Sequence, residues 1–253
     1  MVGASELSFR ALVQSHGATL AYTQMLHPSR LKPDPEYLAF HRRDLSHSPD
    51  PVVVQICGSD ADELLRGARK IANLCDRIDL NLGCPQDHAH EVSTLAHGLS
   101  VPVSVKMRLC IRGKDATLVL VQRLSAADAS LVTLHARYAS VRQRRHGPEN
   151  LDVVKTSDIQ ANETHTGASG IMVGGTLLGN PRRWRARQTL HSVFENELLI
   201  PADISLECLE LCQAYSNTAS LKTMQVHVRH IVEFQWYVHT NKLERRFYQS
   251  GTQ

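Results

Sequence analysis

Apolar residues along this chain come in short runs, separated by segments in which they recur every three or four positions. The runs are LAYTQM (20–25), VVVQIC (52–57), RIDLNL (77–82), VPVSVKM (101–107), SLVTLHA (130–136) and GIMVGG (170–175). Continuous apolar stretches of this length suit strands covered on both faces. Between them, SELSFRALVQSHG predicts a helix capped by Ser5 and stopped at Gly17. DADELLRGARKIANLC predicts another, with Leu64, Ala68, Ile71 and Cys75 along one face. Strand and helix alternate, which is the pattern of a parallel sheet, either doubly wound or closed into a (β/α)8 barrel.

From about residue 200 the pattern is helical only, in DISLECLELCQAYSN and TASLKTMQVHVRHIVEFQWYVHTNKLERRF. The second segment predicts an apolar stripe of Leu221, Met224, Val228, Ile231, Val232 and Gln235. The expected division is therefore a barrel domain over residues 1–199 and a small helical domain over residues 200–253. Six runs and a stub at Met1–Val2 fall short of eight strands, and residues 138–169 contain no run suited to another. The fold class expected is α/β, an incomplete (β/α)8 barrel followed by helices.

At 253 residues and 42% hydrophobic content, the chain can bury a substantial core. A net charge of +3 says little by itself, but its distribution says more. Arg137, Arg142, Arg144, Arg145 and His146 cluster after one strand candidate, and Arg182, Arg183, Arg185 and Arg187 after another. Such clusters serve as a solvated face or as a phosphate-binding rim. The six cysteines show neither CxxC pairs nor zinc spacing, so reduced thiols and no metal are expected. Glu6 and Arg10 interrupt the N-terminal segment, and no run approaches the ~18 apolar residues of a membrane span. A cytoplasmic or nuclear protein without a membrane helix is expected.

Candidate chemistry gathers at strand ends. Cys84, between Gly83 and Pro85, follows RIDLNL, and its thiol can serve as nucleophile, metal ligand or proton donor. Lys106 and His135 end apolar runs, where a cation or an imidazole calls for a polar partner or a route to the rim. Gln55 offers both a donor and an acceptor to a planar heterocycle. The glycines of GIMVGGTLLGNP suit a phosphate or a simple tight turn. Cys208 with Cys212, and His227 with His230, have helical spacing that packing or solvent exposure explains better than a metal.

The segments QICGSDADELLRGARKIANLCDRIDLNLGCPQ, LSVPVSVKMR, LVTLHAR, RRHGP, SGIMVGGTLLGNP and TASLKTMQVHVRHIVEF resemble the tRNA-dihydrouridine synthases, in particular the eukaryotic branch acting on D-loop uridines 16 and 17. The resemblance implies an FMN-binding barrel followed by a helical tRNA-binding domain, with NADPH as reductant. It implies hydride transfer to C6 of a flipped-out uracil and protonation of C5 by Cys84, with Asn81 orienting the base. It further assigns Gln55, Lys106 and His135 to FMN contacts and Gly174 with Gly175 to the phosphate-side turn. Arg137, Arg142, Arg144, Arg145, Lys222 and Arg229 become candidates for tRNA phosphate contact, and a monomer is expected.

Three departures from the family pattern stand out. The strand with Ala-Pro-Met survives only as Met1–Val2, only DHAHEVSTLAHG follows GCPQ before the next strand, and the strand ending in Asn-Gly before GASGIMVGG is missing. Two rivals follow. One is a non-catalytic tRNA-binding remnant that has lost the flavin site. The other is a flavin oxidoreductase for a free pyrimidine, against which HVRHIVEF argues, since a small substrate needs no such helix.

Overall fold

The computed structural model describes residues 3–49, 51–83, 88–138, 167–181 and 201–233. The chain divides into two compact units, residues 22–172 and residues 1–21 with 173–253.

The first unit is built on a sheet of β1 (Ala21–Tyr22), β2 (Val52–Ile56), β3 (Arg77–Leu82), β4 (Val103–Leu109) and β5 (Leu131–Tyr138), in that spatial order. Strands β2 to β5 pair in parallel, each with its sequence neighbour. The crossovers carry α2 (Pro28–Leu31) and α3 (Pro35–Ser46) before β2, α4 (Ala61–Ala68) before β3, α5 (Ala89–Gly98) before β4 and α6 (Lys114–Ala126) before β5. This is the α/β architecture of a parallel half-barrel. Local chemistry starts two of these helices. Asp34 caps α3 by accepting from the Tyr37 amide at 2.9 Å, with Pro35 at the first helical position, and Asp60 caps α4 by accepting from the Glu63 amide at 2.7 Å. Glycine at position 67 lets α4 approach α2, since a β-carbon there would meet the Pro28 backbone at 2.7 Å.

The core of this unit lies between sheet and helices. Val54, Ile56, Ile78, Leu80, Leu82, Val103, Val105 and Met107 pack against Leu64, Ala68, Ile71, Val92, Leu95, Leu120 and Leu124. The predicted helix face of Leu64, Ala68 and Ile71 is buried, with Cys75 half-buried beside it. The strands are not apolar on both faces, however. In β3, Ile78, Leu80 and Leu82 alternate with Arg77, Asp79 and Asn81; in β4, Val105 and Met107 alternate with Ser104, Lys106 and Arg108. The sheet keeps a polar face opposite the helices.

Two predicted elements differ. LAYTQM yields only the two-residue strand Ala21–Tyr22. GIMVGG yields no strand: residues 170–174 are irregular and Gly175–Gly179 is the short helix α7. Three glycines around Ile171, Met172 and Val173 leave too few side chains for a pleated surface to pack.

The second unit contains α1 (Leu7–Ser15), α7, α8 (Pro201–Ala214) and a helix α9 over 221–233. Phe9, Leu12 and Val13 pack with Ile204, Cys208, Cys212 and Ile231. The N-cap of α1 is Glu6 rather than Ser5. Glu6 forms a buried pair with His227 Nε2, whose ring stacks on Phe9 with centroids 4.7 Å apart. His227 therefore sits in the middle of the buried face of α9, while Leu221 is 71% and Val232 47% exposed. Ile231 and Met224 of the predicted stripe do pack in this core, with Gln235 outside the described residues, but the buried face is displaced toward His227, because a histidine with an acid partner counts as polar in a hydropathy pattern but buries like an aromatic ring.

Candidate active site

Parallel pairing puts the carboxyl ends of β2 to β5 on one edge and aligns their polar positions across the sheet. Gln55 pairs with Asp79 and Asp79 with Ser104. One step toward the carboxyl edge, Asn81 pairs with Lys106 and Lys106 with Thr133. A further step on, Arg108 pairs with His135, after which the register shifts so that Leu109 meets Tyr138. The result is a graded polar surface, buried at its base and open toward the strand ends.

Asp79 anchors the base. It is fully buried, its Oδ2 accepting from Gln55 Nε2 at 2.9 Å and its Oδ1 from Ser104 Oγ at 2.7 Å. Burial raises its pKa, against the two hydrogen bonds and the charges of Lys106 and Arg77. Asn81 donates from Nδ2 to Met25 Sδ at 3.0 Å and to Gln55 Oε1 at 3.5 Å. The backbone amide of Gln55 donates to Thr23 Oγ1 at 3.1 Å. Burial lowers the Lys106 ammonium's pKa, Asp79 opposes this and Arg108 reinforces it. Burial, then the Asp79 charge, raises the Tyr22 phenol, while Thr133 and Ser104 hydrogen-bond to it.

Of the residues singled out from sequence, Gln55 thus bonds to Asp79, Asn81 bonds to Gln55 and Lys106 stands in register beside Asn81, and His135 lies on the same face two positions past Thr133. Asp79, Ser104, Thr133 and Tyr22 complete the network and were missed; the period-two alternation in β3 to β5 was the signal for the first three. Gly174 and Gly175 open α7 in the other unit. Arg137 lies in β5 and is partly buried. Lys222 is exposed on α9, and Arg229, also exposed, donates from Nε to Glu233 Oε1 at 2.6 Å. Cys84, Arg142, Arg144 and Arg145 lie outside the described residues.

Among the described thiols, burial pushes Cys75 up to about 12 and also raises Cys57, whose sulfur lies 3.3 Å from His27 Nδ1 at the end of β2. Cys57 is half-buried. No group of His, Cys, Asp or Glu among the described residues could hold a metal ion. Among the same residues, no helix is long and apolar enough to cross a membrane. Two amides, an ammonium and an imidazole on one half-buried face fit a planar heterocycle edged with N–H and C=O groups.

The dihydrouridine synthase family model matches residues 1–93, 88–156 and 148–253. The chain belongs to the dihydrouridine synthase family. It is 30% identical over 228 residues to the tRNA-dihydrouridine(16/17) synthase of Saccharomyces cerevisiae, covering 75% of this chain and 54% of that protein. It is also 30% identical over 223 residues to the tRNA-dihydrouridine(16/17) synthase-like protein of Rattus norvegicus, covering 74% of this chain and 51% of that one. Against tRNA-dihydrouridine synthase B of Xanthomonas axonopodis it is 25% identical over 245 residues, covering 81% and 71%. The chain thus spans about half the length of these eukaryotic dihydrouridine synthases. In this member of the family, the polar network stands on the sheet face opposite the helices, the face that a (β/α)8 barrel turns to its interior.

Proposed function

We propose that this chain is a flavin-dependent tRNA-dihydrouridine synthase that reduces the uracil C5=C6 bond in the tRNA D-loop, at positions 16 and 17. The observation that carries this reading is the chain of polar contacts from Asp79 through Gln55 to Asn81, with Lys106 in register beside Asn81 on the same sheet face, in a chain of this family. FMN reduced by NADPH supplies, when bound, the hydride for uracil C6.

The chain's own residues do the rest. Gln55, Lys106 and His135 hold the flavin ring, and Gly174 with Gly175 its phosphate. Asn81 orients the uracil. Cys84 holds the proton for C5: an ordinary thiol, with a pKa near 8.5, is neutral at pH 7 and can quench the enolate charge that hydride addition leaves on the base. The uracil must leave its stack to reach such a site. Arg137, Arg142, Arg144, Arg145, Lys222 and Arg229 contact tRNA phosphates, with the segment from residue 200 as the helical tRNA-binding domain and residues before it as the catalytic barrel. The Arg229–Glu233 pair competes with phosphate for the same guanidinium.

The rival reading, a non-catalytic remnant, rests on the family segments that the sequence lacks after GCPQ and before GASGIMVGG. A single experiment separates the two readings. The purified chain is loaded with FMN, freed of unbound flavin, and given NADPH and tRNA lacking dihydrouridine. Retained flavin absorbance and dihydrouridine formation are expected. Cys84→Ala should slow that reduction by about 10²–10⁴-fold while leaving flavin retention nearly unchanged. Flavin retention without uridine reduction would overturn the enzymatic reading, and salt-sensitive tRNA binding by a colourless protein would establish the remnant.

A further inference from the structure

The proposed chemistry leaves one carboxylate without a role. Asp79 lies mid-strand in β3 with no exposed surface, in register between Gln55 and Ser104. Sequestering a carboxylate is costly unless its oxygens are bonded and a counter-charge is near. Both conditions hold here, through Gln55 Nε2, Ser104 Oγ and the Lys106 ammonium. Two consequences follow.

The first concerns Gln55. Asp79 Oδ2 accepts from Gln55 Nε2, so the Gln55 amide turns its NH2 to Asp79 and its Oε1 toward Asn81, one step nearer the strand ends. A free glutamine can present either end of its amide; this one is locked as an acceptor toward the open side. The second concerns Lys106. Asp79 pairs with Ser104 and Asn81 with Lys106, so Lys106 is the diagonal neighbour of Asp79 on the same face of the adjacent strand, and there the Asp79 charge favours the ammonium against burial and Arg108. Tyr22 from β1, Arg77 on β3 and Arg108 on β4 are the other ionisable groups coupled to this pair.

We propose that Asp79 is a positioning residue: it fixes Gln55 with its carbonyl toward the ligand, so that the site selects a ring offering an N–H, and it keeps Lys106 a cation facing an electron-rich or anionic ring. This rests on the flavin reading of the same face.

The test uses the full chain and Asp79→Asn, with lysine side chains observed by NMR in the absence of flavin. Lys106 should titrate about one unit or more lower in Asp79→Asn than in the unmodified chain. FMN should bind about tenfold more weakly, and the preference for FMN over a flavin methylated at its ring N–H should shrink. An unchanged Lys106 titration with an unchanged preference would overturn the assignment. Ser104→Ala removes one hydrogen bond and keeps the charge, so it should leave Lys106 nearly where it was; a shift as large as that of Asp79→Asn would also overturn it. Should Asp79→Asn fail to fold, the carboxyl carbon of Asp79 in the unmodified chain decides, since a neutral carboxyl at pH 7 excludes the proposed role. A chain that takes up no flavin sinks the flavin-dependent function, with the Lys106 titration still deciding the role of Asp79. Normal flavin uptake with Asp79→Asn behaving like the unmodified chain sinks the Asp79 assignment alone.

Discussion

In residues 22–172 every strand lies beside the strand that precedes or follows it in the chain, and the core between sheet and helices is aliphatic. In the other unit, residue 6 meets residue 227, and an acid and an imidazole sit within the packing. The first unit spreads its core over a continuous apolar layer between sheet and helices, and its buried acid, Asp79, is bonded by residues of the neighbouring strands. The second fastens two distant segments with a buried polar pair, and removing half of such a pair leaves the other half stranded. Buried area alone therefore misjudges which positions matter most.

The sharpest way to break this comparison is His227→Ala, which strands Glu6 and opens space beside Phe9. A loss of about 3–5 kcal/mol is expected, read by urea denaturation followed through helical circular dichroism, while amide exchange in β2 to β4 stays protected. Equal loss of protection in the sheet would mean that the two units do not differ in this way. Leu80→Ala tests the other side: a fully buried leucine in the middle of β3 should cost roughly 2–4 kcal/mol, with exchange rising in the sheet.

The smallest effect belongs to Asp34. Its hydrogen bond from Tyr37 and then that from Arg30 hold its carboxyl below the ordinary 3.8. The folded chain binds this proton less readily than the unfolded one, so the contribution is present above the unfolded value and is lost as pH falls through the folded one. Asp34→Asn should therefore be less stable than the unmodified chain at neutral pH. That difference in urea midpoint should narrow below about pH 4.

The sequence was most legible where period and punctuation agree. Asp60 before ADELL announces a capped helix, and RIDLNL and VPVSVKM become β3 and β4 within two residues. It was less legible where one residue serves two patterns. Asp79 in RIDLNL reads as an interruption of an apolar run, and only register across three strands shows it aligned with Gln55 and Ser104. Reading those strands as apolar throughout hid the alternation that marks the polar face. GIMVGG looked like a strand by apolar content, yet its glycines prevailed, and His227 stayed undecided between packing and solvent exposure because its partner is 221 positions away. For Gln55, Asn81, Lys106 and His135 the position at strand ends was readable; the carboxylate that organises the first three was not.

The pairing of Glu6 with His227 also dictates an order of events during synthesis. At about 5–20 residues per second, the sheet's segments leave the ribosome seconds before α9 does, and its neighbour-to-neighbour contacts can close as they appear. Residues 1–21 are translated before the sheet yet pack against segments translated after it, so α1, with Phe9 and Leu12, stays unpartnered until α8 and α9 have emerged.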